Sequence, residues 1–318
     1  MNDVMISATK SQACLSSDMD FSILGQTPFH EVPRPLRREV YGVPYVELTD
    51  SSGGTIWLTR YGWNLLEQLE PTKWYDGRRY DRKGEYLSKG SGSVFRVVSQ
   101  DSRGRPVNLV VKFSRMAQDL PLQVSSRFPD GLPRHLLDES VFNDPFEEFG
   151  VLEELRSGEF GPPDIRVRTK RPLAIYSPGR QFKPWQLGRS EHQFRRHAHG
   201  LRENQESLGE GMQPVQLHFD RQYITLFQWV RGQDAEALVK AGVFSEDEAS
   251  ELVVEVMNEL AVKGFRMLDI KPNHIILRRR LDGSLLARHG RLSYALVDFE
   301  LLQRTEEYRK WHKTLLQG

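Results

Sequence analysis

Two acidic segments toward the C-terminal end of the sequence contain the side chains best suited to chemistry. In the first, Asp269 is followed two residues later by Lys271, and apolar residues flank the pair. In the second, Asp298 comes directly after an apolar run that is typical of a short strand. One carboxylate can accept a proton while another binds a divalent cation, so the two segments together are suited to group transfer.

Two segments farther upstream contain groups that could bind phosphate. The first is a turn of small residues, which let backbone N–H groups approach phosphate oxygens: Gly90, Ser91, Gly92 and Ser93. The second is an apolar run in which Lys112 stands twenty residues after Gly92. Because an ammonium group in an apolar strand costs desolvation free energy, we expect an anion beside Lys112. An ordinary hairpin turn and an edge-strand lysine are the alternative interpretations.

The elements that must position these residues are strands in the first half of the chain and helices in the second. Runs of apolar residues predict strands over 94–98, 107–113, 165–167, 173–176 and 223–230. A helix is predicted over residues 145–156, with Asp144 as its N-cap. A longer helix over 246–263 begins with a capping box formed by Ser245 and Glu248. This order predicts two lobes with a ligand-binding cleft between them.

Composition divides the chain further. Residues 1–20 are small and polar without periodicity, which indicates a flexible tail. Residues 21–84 contain three tryptophans, too much aromatic surface for a linker, so we expect an ordered N-terminal extension. A sheet-rich part follows over 85–230, with a polar insertion at 187–212, and a helix-led part over 231–318 ends the chain.

The bulk composition excludes several classes of protein. A net charge of +1, from 44 Lys and Arg against 43 Asp and Glu, calls for no nucleic acid partner. No apolar run reaches membrane-spanning length, so we expect no membrane insertion. The single cysteine, Cys14, and the lack of a secretory signal favour a cytoplasmic location. The polar insertion contains His192, His197 and His199, for which a solvated basic helix is favoured over a zinc site.

These motifs, in this order, resemble those of the protein-kinase-like superfamily. The glycine turn matches the first two glycines of the kinase loop G-x-G-x-x-G-x-V, and Val97 matches its valine. Residues 269–277 resemble the catalytic loop, in which the aspartate begins D-L-K-P-x-N-I-L. Asp298 with the phenylalanine after it resembles the start of Asp-Phe-Gly.

The resemblance implies an α+β, bilobal kinase-like fold. Residues 85–230 would form an antiparallel β N-lobe, and residues 231–318 a reduced helical C-lobe, preceded by the N-terminal extension. The C-lobe is expected to be reduced because only 18 residues follow Glu300, too few for the helical platform on which the family holds peptide substrates. Substrate selection would then come from the extension, the polar insertion or a partner.

The resemblance also implies catalytic roles. Asp269 would be the catalytic base, and Lys271 and Lys112 would contact phosphate oxygens. Glu148 would form an ion pair with Lys112, although Glu147 and Glu154 on the same helix are rivals for that position.

For cofactors, the resemblance implies ATP with Mg²⁺ or Mn²⁺. The metal would be bound by Asp298 and by His274, which stands where the family has asparagine; hydrogen bonding within the loop is the other interpretation of His274. The nucleotide would be held by the glycine turn and by further residues on strands: Val97, Val110, Lys112, Gln228 and Val230.

Departures from the kinase pattern leave the activity open. Phe95 replaces the third glycine, Met267 and Leu268 replace His-Arg, and Glu300 replaces the glycine of Asp-Phe-Gly. We therefore hold two hypotheses. One is an ATP- and metal-dependent phosphotransferase that acts on a hydroxyl of a protein or small molecule. The other is a pseudokinase that binds nucleotide or partners without turnover; a small-molecule kinase and AMP transfer are further alternatives.

Overall fold

An eight-stranded antiparallel sheet organises the first two thirds of the chain. The computed structural model describes residues 25, 27–87, 93–120, 140–206, 208, 212–288 and 290–317. The strands of the sheet are β1 (Arg37–Val40), β2 (Val43–Thr49), β3 (Thr55–Leu58), β4 (Glu85–Tyr86), β5 (Val94–Gln100), β6 (Pro106–Phe113), β7 (Pro172–Ser177) and β8 (Ile224–Gln228). Their order is β1-β2-β3-β7-β8-β6-β5-β4. The N-terminal extension therefore supplies three strands of the same sheet.

Helices and short strands make up the rest of the described chain. The α-helices are α1 (Arg60–Trp63), α2 (Leu66–Leu69), α3 (Pro71–Trp74), α4 (Arg79–Arg82), α5 (Pro145–Ser157), α6 (Glu191–Asn204), α7 (Ala235–Lys240), α8 (Glu246–Val262) and α9 (Glu306–Gln317). The short strands are β9 (Gln233–Asp234), β10 (Phe265–Met267), β11 (Ile275–Leu277), β12 (Ala287–Arg288), β13 (Arg291–Leu292), β14 (Tyr294–Leu296) and β15 (Leu302–Arg304). The predicted mixed α and β architecture with an antiparallel sheet is confirmed.

Capping side chains define where the two main helices begin. The Asp144 carboxylate accepts hydrogen bonds from the backbone N–H groups of Phe146 and Glu147 at the start of α5. In α8, the Ser245 hydroxyl accepts from the N–H of Glu248, whose carboxylate accepts from the N–H of Ser245. Both caps are the predicted ones, because they depend only on side chains within three residues of the helix start.

The two faces of the sheet bury separate cores. On one face, side chains of β5 and β6 pack with the tryptophans Trp63 and Trp74 of α1 and α3. On the other face, Trp57 and Phe227 pack with α5, and the same core continues into α8 and the short strands. Because side chains of a strand alternate between faces, each strand residue belongs to one core or the other.

One predicted strand, residues 165–167, is not formed. Pro162 and Pro163 precede it, and the N–H of Ile165 donates to the carbonyl of Pro162 in a turn. Proline has no N–H to contribute to a strand ladder, and this local constraint outweighs the apolar pattern.

The lengths and compositions of the helices show whether any of them could span a membrane. Among the described residues, no helix combines the length and the apolar character that crossing a lipid bilayer demands.

We expect Asp144→Ala to lower the free energy of unfolding by about 1–2 kcal/mol, because two N–H groups at the start of α5 lose their acceptor. Asp144→Asn retains an acceptor oxygen and serves as the matched control. Urea unfolding at pH 5 measures both variants. Equal stability of the Ala and Asn variants would contradict the capping role.

Comparison of wild type with Asp144→Asn also tests how stability depends on pH. Burial, and then the charge of Glu147, raise the pKa of Asp144 to about 7. The folded protein therefore keeps a proton that the unfolded chain loses above its ordinary pKa, so this group's contribution to stability falls between about pH 4 and about pH 7. Wild type should lose more stability than Asp144→Asn over this range.

Candidate functional site

A buried ammonium group surrounded by three carboxylates forms the centre of the site. The side chain of Lys112, on β6, is 5% exposed. Its Nζ lies 2.8 Å from Asp298 Oδ1, 3.2 Å from Glu148 Oε1 and 3.1 Å from Glu300 Oε1. The anion that the sequence predicts beside Lys112 is therefore supplied by the protein itself. We call these four residues the Lys112 cluster.

The pairing of β6 with β8 and the position of α5 on the sheet bring Lys112 and Glu148 together. Lys112 is opposite Thr225 of β8, so its side chain extends from the sheet face that α5 covers. Glu148 projects from the first turn of α5, which the Asp144 cap fixes. Of the three candidate glutamates on α5, only Glu148 contacts Lys112. Glu147 and Glu154 both contact Arg304 instead.

Charge neutralisation governs the ionisation of the Lys112 cluster. Burial alone would lower the pKa of Lys112, but Asp298, Glu148 and Glu300 raise it well above its ordinary value. Burial likewise opposes ionisation of Asp298, yet the charge of Lys112 holds the pKa of this carboxyl well below its usual range. Lys112 is therefore a cation and Asp298 an anion at neutral pH.

Antiparallel pairing of β11 with β14 places the two predicted acidic segments side by side. As a result His274 Nε2 lies 3.7 Å from Asp298 Oδ2. Burial lowers the pKa of His274, which favours the neutral imidazole. Neutral imidazole is the form that binds metal ions.

Asp269 also lies near His274, whose pKa responds to the charges of both Asp298 and Asp269. Lys271 Nζ holds Asp269 Oδ2 at 2.9 Å. The second oxygen, Asp269 Oδ1, is buried and accepts no hydrogen bond in the described structure. This arrangement leaves one carboxylate oxygen available to an incoming donor.

Glu300 forms ion pairs with two cations, which the sequence does not predict. Besides Lys112, it contacts Arg115, whose Nε donates to Glu300 Oε2 at 2.8 Å. Its side chain is 5% exposed. The Glu300 carboxylate therefore ties the segment after Asp298 to β6 and the residues that follow it.

One member of the site, Lys170, is not indicated by the sequence. Its side chain is 3% exposed, and its Nζ lies 3.4 Å from the ring centre of Phe227 and 3.9 Å from Glu148 Oε1. Burial, and then the charge of Lys112, lower the pKa of Lys170 to about 7. Lys170 stands between Thr169 and Arg171, so its local sequence resembles a solvated turn and gives no signal of burial.

The predicted nucleotide-binding residues fall into separate groups. Gly90, Ser91 and Gly92 lie outside the described residues, whereas Ser93 directly precedes β5. Val110 shares the sheet face of Lys112. Val97 does not: it is paired with Leu109 and is buried in the core on the opposite face. A shift of one residue along a strand exchanges the two faces, so the family valine predicted from the motif is on the wrong side here.

The other two predicted nucleotide-binding residues, Gln228 and Val230, line a different space, a cavity of about 1420 Å³. Among the lining residues, Lys170 is the member that also approaches the Lys112 cluster. Neither Lys112 nor Asp298 lines this cavity. Gln228 and Val230 therefore share this cavity with Lys170 and not with Lys112 or Asp298.

The three histidines of the polar insertion do not converge. His192 and His199 are exposed on α6, whereas His197 is buried. His197 Nδ1 lies 3.8 Å from Asp144 Oδ2, and Glu147 is also near. The predicted solvated helix is formed, with one histidine turned into the core.

Comparison with known proteins gives matches in structure only. No protein-family model matches the sequence, and no curated protein matches it. The Mycobacterium tuberculosis PknI kinase domain matches with 17% identity and a TM-score of 0.26, over 69% of this chain and 58% of that one. The Rio2 kinase from Chaetomium thermophilum, in an ADP/Mg²⁺-phosphoaspartate complex, matches with 11% identity and a TM-score of 0.33, over 86% and 63%. Rad53 1-466 with AMP-PNP matches with 12% identity and a TM-score of 0.28, over 81% and 61%.

All three are structures of kinases. The chain spans about three fifths of the length of the solved chains it matches. At such low identities and TM-scores, the function of this chain has to be inferred from its own side chains.

We expect Lys112→Met to lower the free energy of unfolding by about 3–5 kcal/mol, because buried carboxylates lose their counter-charge. Lys112 is charged in both folded and unfolded states below pH 10, so its contribution is fully present at neutral pH. The loss should shrink at pH 5, where protonation relieves the remaining carboxylates, and grow at pH 8.

Lys240→Met, at an exposed position on α7, is the matched control and should change stability by less than about 1 kcal/mol. Urea unfolding of both variants at pH 5 and pH 8 provides the measurement. An equal, pH-independent effect of the two substitutions would contradict the buried network.

Proposed function

We propose that this chain binds ATP with a divalent metal ion and transfers the γ-phosphate to a hydroxyl group of a protein or small molecule. The observation that carries the proposal is the convergence of Lys112, Glu148 and Asp298, with Lys112 Nζ 2.8 Å from Asp298. These residues come from three separate parts of the chain. Phosphoryl transfer needs a cation for phosphate oxygens beside a carboxylate for the metal, and this pair supplies both.

In this proposal Lys112 binds phosphate oxygens. Glu148 fixes the ammonium group from the α5 side, so the lysine is oriented before nucleotide arrives. A bound phosphate group would contact the Lys112 ammonium group and replace part of its interaction with Asp298 and Glu300. Lys112 is suited to this exchange because it remains a cation throughout the physiological pH range.

Asp298 and His274 fit a divalent metal ion. The Asp298 side chain is 32% exposed, so one carboxylate can face both Lys112 and solvent. His274 is neutral, and its buried Nδ1 accepts no hydrogen bond in the described structure. A bound ion would neutralise phosphate charge. An oxygen and a nitrogen ligand together suit Mn²⁺ better than Mg²⁺, which prefers oxygen alone.

Asp269 is the proposed catalytic base. Lys271 holds Oδ2, which leaves the buried Oδ1 to accept the proton of a substrate hydroxyl or to orient that hydroxyl. Lys271 would be drawn toward the transferring phosphoryl group as negative charge develops there. A positioned base of this kind contributes about 10²–10⁴ in rate.

The contacts of Glu300 favour a second candidate function, a pseudokinase. Glu300 occupies Lys112 and Arg115 together, and a nucleotide phosphate must compete with it. If this carboxylate keeps Lys112, the chain acts as a binding or scaffolding module without turnover. The two candidates differ in whether ATP displaces Glu300.

We expect Asp269→Asn to lower phosphate transfer by about 10²–10⁴, because the amide cannot accept a proton. Autophosphorylation and ATP hydrolysis with Mg²⁺ and with Mn²⁺ are the readouts. Asp247→Asn, on the exposed first turn of α8, should retain activity. Undiminished turnover in a folded Asp269→Asn protein would reject the catalytic role.

We expect Glu300→Gln to bind ATP about tenfold more tightly, since a neutral amide no longer competes for Lys112. Calorimetry with ATP measures affinity, and the hydrolysis assay measures turnover in the same sample. Glu306→Gln, exposed on α9, is the control. Tight binding without turnover in both wild type and Glu300→Gln would favour the pseudokinase, whereas unchanged affinity would show that Glu300 does not compete with ATP.

A further inference from the structure

The cavity beside Gln228 and Val230 concentrates positive charge in a chain that is almost neutral. Nine arginine and lysine side chains line it, against two acidic ones, Asp164 and Glu259. The whole chain has a net charge of +1. We call this space, of about 1420 Å³, the basic cavity. An excess of seven positive charges gathers around one concave surface and is balanced only by acidic residues elsewhere.

Most of these cations are not neutralised by the protein. In the described part of the chain, six of the lining arginines form no ion pair with a carboxylate: Arg166, Arg168, Arg171, Arg231, Arg278 and Arg288. The other two do: Arg156 lies 3.2 Å from Glu153, and Arg291 lies 3.5 Å from Glu259. Like charges in one concavity repel each other and raise the local potential, so the arrangement favours an anion in the cavity.

Arginine also indicates which anion. The guanidinium group is planar and binds phosphate with two parallel N–H donors. All the lining cations except Lys170 are arginines. Several such groups around one space match a ligand with several phosphate groups close together, rather than a single carboxylate.

The aromatic side chains of the cavity argue against recognition of single-stranded nucleic acid, which stacks its bases on free aromatic faces. Trp229 already has the guanidinium of Arg96 over its ring, 4.7 Å from the centroid. Tyr294 is buried, and its hydroxyl donates to Glu259. We propose that the basic cavity binds a compact small molecule carrying several phosphates, such as a cyclitol polyphosphate or a short inorganic polyphosphate.

Lys170 connects the basic cavity to the Lys112 cluster. It lines the cavity, and its Nζ lies 3.9 Å from Glu148 Oε1. A phosphate near Lys170 draws its charge away from Glu148, which then interacts more strongly with Lys112. The ligand thereby regulates the nucleotide site. This second step rests on the proposed function, whereas binding of the polyphosphate does not.

The test uses the full chain, without ATP or metal, and two probes: myo-inositol hexakisphosphate and tripolyphosphate. Calorimetry gives the Kd for wild type, for the double variant Arg278→Glu/Arg288→Glu and for the control Arg79→Glu/Arg82→Glu, whose positions are exposed on α4. The cavity variant should bind at least one probe about tenfold or more weakly than wild type, while the control binds as wild type does. A preference for the cyclic or the linear probe distinguishes the two sources of phosphate.

Thermal unfolding without ligand shows whether the cavity variant is folded. The cavity variant should be at least as stable as wild type, because two mutually repelling cations are removed, and only its stabilisation by the probe should be lost. The proposal is overturned if neither probe binds, if both double variants lose affinity equally, or if a single-stranded RNA oligonucleotide binds the cavity more tightly than either probe.

Regulation is tested separately from binding. A Lys170→Met variant should bind the probe but lose any effect of the probe on ATP affinity. If the probe binds as expected and ATP does not bind at all, the proposed nucleotide function fails while the polyphosphate site stands. If the probe changes ATP affinity equally in wild type and Lys170→Met, the connection through Lys170 is wrong.

Discussion

The ion network around Lys112 holds together the elements that form the candidate site. An ammonium group and the carboxylates of Glu148 and Glu300 are nearly all withdrawn from water, and any one of them alone would be costly to bury. Together, with Arg115 bound to Glu300, they offset much of one another's charge through contacts of about 3 Å. The network therefore fixes β6, α5 and the segment after Asp298 in one arrangement.

Because side chains alternate along β5 and β6, one face of the sheet contributes to a hydrophobic core and the other carries Lys112. Residues that face α1 to α3 form an aromatic and aliphatic core, in which Val97 and Val111 are buried. Residues one position along the strand face α5 and carry Lys112 into the network. The large aromatic core on the first face supplies the hydrophobic free energy that allows a charged group to be buried on the second.

Two regions of opposite electrostatic character adjoin at Lys170. On one side, carboxylates outnumber the lysine they surround, and a bound divalent metal ion would offset the excess negative charge. On the other side, arginines line a cavity with few acidic partners. Lys170 is buried between them with a pKa of about 7, so its charge is sensitive to anions on either side. Lys170 can therefore interact electrostatically with groups in both regions.

Local features follow from the sequence alone: the caps at Asp144 and Ser245, the strands around Lys112, and the order of the two acidic segments. The resemblance to the kinase pattern put Glu148 ahead of Glu147 and Glu154 as the partner of Lys112. Packing between distant elements turns Val97 to the opposite face, adds Glu300 and Arg115 to the network, and buries Lys170. The reason is physical: Lys112 and Asp298 are 186 residues apart, and contacts at such separations depend on strand register and on packing between elements, which local patterns do not encode.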